Sequence, residues 1–168
     1  DAFAILKEAL KPLGEDYVAM LDVARKERWF DFMPHEKKRP GAYSSGTHDS
    51  KPFMLLNFNG TYESVSTMAH EFGHSMHSYY ARKNNRALLS HYTIFVAEVA
   101  STVNELLLNH YLLKNSDDQD YKASLLNNLL NQLVGTLYRQ PMFARFEEQL
   151  HARMEKGEAL SSKDITDL

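Results

Sequence analysis

The sequence predicts a mainly α-helical chain carrying one small antiparallel β-hairpin, on three observations. Apolar residues recur at three- and four-residue steps over most of its length, the mark of helices with one buried face. Only two short stretches, Ala42-Tyr43-Ser44 and Phe53 to Phe58, have the β-branched or aromatic character and the flanking turn residues expected of strands. With 43% apolar and 24% charged residues, the composition is that of a folded globular protein.

Residues 2 to 28 read as two helical segments interrupted by Pro12-Leu13-Gly14, because proline and glycine this close together suit a turn. The run Pro34 to Gly41 is a basic connection, expected to be a solvated loop. Gly46, Pro52 and Gly60 bound the two strand candidates, which are expected to pair as a hairpin. From Thr61, a plausible N-cap, Val65, Met68, Phe72, Met76 and Tyr79 form one helical stripe that should run to about Lys83, where Asn84-Asn85 offers a stop. A second long helix is expected from about Thr93 to Leu113. A third pattern, Tyr121, Leu125, Leu129, Leu133 and Leu137, continues towards Met154 with a kink at Pro141.

At 168 residues the chain fits one domain with its own core. A net charge of -3 supplies no basic stripe for a phosphate backbone, so nucleic acid is not an expected partner. No apolar run approaches the roughly 20 residues of a spanning helix, so a membrane is not expected either. The lack of cysteine leaves imidazole and carboxylate as the only strong metal ligands and makes the cytoplasm the natural compartment. The first residue is Asp, and the helical pattern Ala2-Ile5-Leu6-Leu10 begins at once, so the sequence reads as part of a longer chain.

His70-Glu71-Phe72-Gly73-His74 has the form H-E-x-x-H and lies within a helix argued from independent apolar spacing. Residues four apart are separated by about 40° and roughly 6 Å of rise, so both imidazoles can reach one ion from the same face. Glu71 is turned away from that pair, which suits a general base better than a ligand. Random shuffling of this composition gives the pentad about 0.03 times per chain, so a solvated histidine-rich face is the weaker reading. Gly73 costs about 1 kcal/mol relative to alanine inside a helix, which signals close approach of another backbone or of a substrate.

A catalytic zinc takes three protein ligands and keeps one open position. The positions three and six residues past the pentad hold His77 and Tyr80 rather than glycine and histidine, so the third ligand must come from elsewhere. Glu98 stands in the apolar stretch Ile94 to Ser101, where a carboxylate needs a compensating cation; a divalent ion provides one directly, and an arginine or lysine is the competing partner. Glu105, two turns further along, is positioned either to accept the far ring N–H of one histidine or to form a surface ion pair. His77 is a weaker ligand candidate, and His91 and His110 are read as incidental.

These residues resemble the thimet-type zinc oligopeptidases, and among them the oligoendopeptidase F group. His70 to His77 is similar to that family's metal helix, and Phe95 to Thr102 with Glu105 is similar to the segment carrying its third ligand; weaker similarity extends to Gly41-Ala42-Tyr43-Ser44, Arg139-Gln140 and Met142-Phe143-Ala144. The resemblance implies a zincin-like, gluzincin catalytic core that binds one Zn2+ and hydrolyses internal bonds of short peptides in the cytoplasm. It also implies a longer parent, with an N-terminal helical wall and a C-terminal His- and Tyr-rich substrate-binding segment that these residues do not contain.

On this reading zinc is held by His70, His74 and Glu98, and Glu71 assists the attack of zinc-bound water on the peptide bond. The 168-residue chain alone is then expected to bind zinc but to hydrolyse peptides poorly, because the oxyanion donor belongs to the parent. An exposed edge at Phe53 to Phe58 could pair with an extended substrate, or the hairpin could be an ordinary cover. The alternative function is a non-catalytic helical module whose zinc site is structural or vestigial, closed by a fourth ligand such as His77.

Overall fold

A computed structural model describes all residues from Asp1 to Leu168. The chain comprises two compact units, Asp1–Asn115 and Ser116–Leu168.

The first unit opens with α1 (Ala2–Ala9) and α2 (Glu15–Lys26), separated by a single 3-10 turn at Lys11–Leu13 that contains Pro12. Gly14, at φ 97°, makes the reversal that the Pro-Leu-Gly sequence announces. Three short strands follow: β1 (Phe30–Asp31), β2 (Tyr43–Ser45) and β3 (Phe53–Leu55). The expected antiparallel pair is present, with Tyr43 opposite Leu55 and Ser45 opposite Phe53. It is enlarged by β1, which pairs in parallel with β3, so the sheet order is β1-β3-β2. β3 is therefore central, and the expectation that Phe53 to Phe58 offers a free edge is corrected: the free edge beside the long helix belongs to β2.

α3 (Tyr62–Asn84) begins at Thr61, whose hydroxyl accepts the Ser64 amide hydrogen, and ends at the Asn84-Asn85 stop. α4 (Ile94–Lys114) packs along it. The core lies between these helices, α1 and α2, and the inner face of the sheet. Met68, Phe72 and Met76 face inward from α3, meeting Met54 and Leu56, Leu6, Leu10, Leu21 and Trp29, and Leu108 from α4. Phe3, Phe30 and Phe32 form an aromatic cluster, with Phe3 edge-on to Phe30 at 5.3 Å and Phe30 stacked on Phe32 at 5.0 Å. Phe72 is fully buried, and truncating a side chain of this kind typically costs about 3–5 kcal/mol.

The tightest point of the α3/α4 crossing is Gly73. A Cβ there would lie 2.7 Å from both the Ala100 carbonyl oxygen and the Ser101 Cα. The glycine that weakens α3 locally is thus what allows α4 to lie against it, backbone to backbone.

In the second unit α5 (Gln119–Val134) is capped by Asp118, which accepts from the Asp120 and Tyr121 amides. It runs through a π turn at Gly135–Arg139 into α6 (Gln140–Glu155), and α7 (Ser162–Thr166) closes the chain with a Ser161/Asp164 capping box. Where the sequence predicts a kink at Pro141, the helix widens into this π turn just before the proline. Proline can neither donate to the preceding turn nor avoid its carbonyl, and a π turn just upstream gives it room.

Candidate metal centre

α3 and α4 carry the whole site. The pentad lies in the middle of α3, far from frayed ends, and the four-residue spacing places both imidazoles on one side. Their planes are nearly perpendicular, at 82°, with ring centroids 4.6 Å apart. Opposite them, the first turns of α4 bring in Glu98.

The three donor atoms form a compact triangle. His70 Nε2 lies 3.0 Å from His74 Nε2, and Glu98 Oε2 lies 3.4 Å from the first and 3.6 Å from the second. Ligands bound at 2.0–2.1 Å to a tetrahedral ion should be about 3.3 Å apart, so the donor set fits a single zinc-sized ion with little rearrangement. These are also the side chains whose donors cluster as a possible metal-holding group.

Glu98 was expected to be buried by the apolar residues around it, yet its side chain is half exposed, and Ile94, Phe95 and Val99 are exposed as well. Its proximity to the histidines therefore comes from the close helix crossing at Gly73, not from burial in an apolar core. No arginine or lysine takes the part of its partner; Ser101 Oγ donates to Glu98 Oε2 at 3.0 Å and steadies the carboxylate from the next turn.

Glu105 lies 3.2 Å from His70 Nδ1 and also accepts from Ser66 Oγ at 3.4 Å. A carboxylate on Nδ1 holds the proton there and leaves the Nε2 lone pair facing the triangle. Burial alone would depress the His70 imidazole, but the Glu105 hydrogen bond and the carboxylates of Glu105, Glu71 and Glu98 reverse this and raise it. His74 moves down, because burial and the charge of His70 outweigh the attraction of Glu98.

Glu71 points to the sheet side of α3. Burial pushes its carboxyl up, as do Glu98 and Glu105, while His70 and the backbone of Ser44 on β2 pull it down. Its Oε2 is sealed from solvent and has no hydrogen-bond partner in the chain. A buried acceptor left unused beside a cluster of donors is costly unless another molecule completes it. Next to it, Ser75 on α3 and Ser44 on β2 share a hydrogen bond of 2.8 Å, which ties the sheet edge to the helix at the level of the site.

His77 is not part of the triangle. Its ring is turned away and stacks on Tyr92, centroid to centroid 3.8 Å at 13°, and burial lowers its basicity. Sequence reasoning did not single out Ser44, Ser75 or Tyr92: a serine carries no periodic signal, and these contacts span 31 residues or connect a loop to a helix.

Comparison with known proteins finds relatives along nearly the whole chain. The chain is 44% identical over 161 residues to Oligopeptidase PepF of Bacillus subtilis (strain 168), an alignment covering 96% of the chain and 24% of that relative. It is 43% identical over 162 residues to the chromosomal Oligoendopeptidase F of Lactococcus lactis subsp. cremoris, covering 96% of the chain and 27% of the relative. The chain thus spans about a quarter of the length of these curated relatives. Among solved structures, a candidate peptidase of Chlamydophila abortus superposes with a TM-score of 0.80 at 43% identity, over 97% of this chain and 28% of the other. Oligoendopeptidase-F from Enterococcus faecium gives a TM-score of 0.56 at 32% identity, over 99% and 22%. The profile of peptidase family M3 matches residues 4–168, and the chain belongs to that family.

Proposed function

We propose that residues 1–168 supply the zinc-holding and proton-transferring centre of a cytoplasmic oligoendopeptidase acting on short peptides. The observation that carries this reading is the ligand-sized triangle of His70 Nε2, His74 Nε2 and Glu98 Oε2 beside a buried, unpartnered Glu71 Oε2. The names of the relatives support the substrate class, and the cysteine-free composition favours the compartment.

His70, His74 and Glu98 would hold the ion. When bound, zinc supplies Lewis acidity, polarising a carbonyl oxygen and bringing the acidity of water into the neutral range. Glu71 accepts the proton of the attacking water on its carboxylate and delivers it to the departing amine; its raised basicity suits both transfers. Glu105 keeps His70 in the tautomer that offers Nε2. An extended substrate would pair with the free edge of β2, where backbone hydrogen bonds tolerate many side chains. A closed structural site would require a fourth ligand such as His77, whose ring is held by Tyr92 instead.

The test is Glu71→Gln. Zinc stoichiometry should stay at one per chain while chelator-sensitive cleavage of a quenched-fluorescent peptide disappears. Loss of zinc together with activity would make Glu71 a ligand, and unchanged cleavage would remove it from the chemistry.

A further inference from the structure

Beyond His74, the same face of α3 continues through Ser78 to Arg82, about 6 and 12 Å along the helix axis. On the sheet side, Gly46 follows Ser44 by two residues, roughly 7 Å along the strand direction. Between them lies a polar recess of about 230 Å³, lined by Gly46, His48, Ser78, Arg82, His91 and Tyr92. Ser78 Oγ and the Tyr92 hydroxyl, 2.5 Å apart, form one wall.

The recess is positively charged. Arg82 Nη2 donates to the Gly46 carbonyl at 2.8 Å, but Nη1 is sealed off with no acceptor, and no carboxylate lies within ion-pair distance of this guanidinium. Asp49, the nearby acid, is engaged by His48 Nδ1 at 3.1 Å. The other ring nitrogen of His48 faces the Asn85 carbonyl at 3.1 Å, so both nitrogens meet acceptors and the imidazolium form is favoured. One arginine charge therefore stays uncompensated in a half-buried setting, which an anion would relieve. Gly46 packs closely on the guanidinium, where a Cβ would stand 2.7 Å from Nη1.

We propose that this recess is a carboxylate-recognising subsite, in which Arg82 receives an acidic side chain or the C-terminal carboxylate of a bound peptide two or three residues from the scissile bond. The spacing follows from the 6–12 Å offset and the roughly 3.4 Å rise of an extended chain. The assignment rests on the peptidase reading for the location of the scissile bond. The charge and the vacancy at Arg82 stand without it.

Binding separates the two claims. Fluorescein-labelled peptides bearing a single Glu or Gln at each position from three before to three after the scissile bond, with free-acid or amidated C-termini, are titrated by anisotropy into the metal-free chain, where none is cut. For one position or for the free C-terminus, the acidic form should bind about tenfold more tightly than its neutral counterpart. Arg82→Met should reduce that ratio to below twofold without weakening the neutral peptide, and Arg82→Lys should keep at least threefold, which guards against a simple folding defect. Whether a side-chain or a terminal carboxylate is preferred identifies the source. Equal binding of acidic and neutral peptides, or a preference that survives Arg82→Met, overturns the subsite. An acid preference in a chain whose full-length parent cleaves no peptide after zinc loading overturns the peptidase reading and leaves the subsite standing.

Discussion

Replacing Gly73 with alanine sets helix propensity against helix packing, and the two have opposite signs. Alanine gains about 1 kcal/mol in an exposed helix interior. Here, however, the new Cβ would sit 2.7 Å from the Ala100 oxygen and the Ser101 Cα and 3.0 Å from the Ala100 carbonyl carbon, all backbone atoms of α4. Carbon contacts settle at about 3.5–4.0 Å, so α4 must withdraw by roughly 1 Å. Overpacking of this kind costs about 1–3 kcal/mol, leaving a net destabilisation of about 0–2 kcal/mol. The larger effect falls on the ion. Glu98 lies two residues before Ala100 and moves with it, stretching contacts of 3.4 and 3.6 Å beyond what one ion can span. Metal bonds tolerate only about 0.2 Å, so zinc affinity should fall by roughly 10²-fold. Competition against a chromophoric chelator measures the affinity, and thermal unfolding with and without zinc measures the stability. A Gly73→Ala chain with unchanged zinc affinity and a melting temperature raised by about 2–4 °C would show propensity alone at work and refute the packing argument.

Glu105→Gln should lower zinc affinity by about 10- to 100-fold while leaving the metal-free melting temperature nearly unchanged, since the amide is isosteric but a poorer acceptor for His70 Nδ1. Tyr17 gives a pH signature away from the metal: its phenol, exchanging hydrogen bonds with the buried Asn104 at 3.0–3.1 Å, is pushed by burial up to about 12. A folded-state value above the unfolded value of about 10 means full stability below pH 10 and progressive loss towards pH 12, reaching roughly 3 kcal/mol. Urea unfolding at pH 9 and pH 11.5 should show this extra loss in the unsubstituted chain and not in Tyr17→Phe.

The helices and the shared face of the two histidines were legible because they rest on spacing. Met68, Phe72 and Met76 announce α3, Thr61 and Asn84-Asn85 mark its ends, and His70 and His74 share a face by arithmetic. Gly73 was readable as a close-approach residue, although only the fold identifies Ala100 and Ser101 as its neighbours. Other features depend on tertiary contacts. A two-residue strand at Phe30–Asp31 carries no period, yet it makes β3 central and transfers the free edge to β2. The position of Glu98 was inferred from supposed burial that is absent; the crossing of two backbones puts it there. The π turn before Pro141 is one of several ways a helix can admit a proline, and local sequence does not choose among them.

X-ray absorption at the zinc edge, on protein loaded to one equivalent, should give two imidazole nitrogens and one carboxylate oxygen with a light-atom solvent ligand, and the imidazole count should drop to one in His74→Ala. A third imidazole would identify a closed site, and a count unaffected by His74→Ala would place the ion elsewhere.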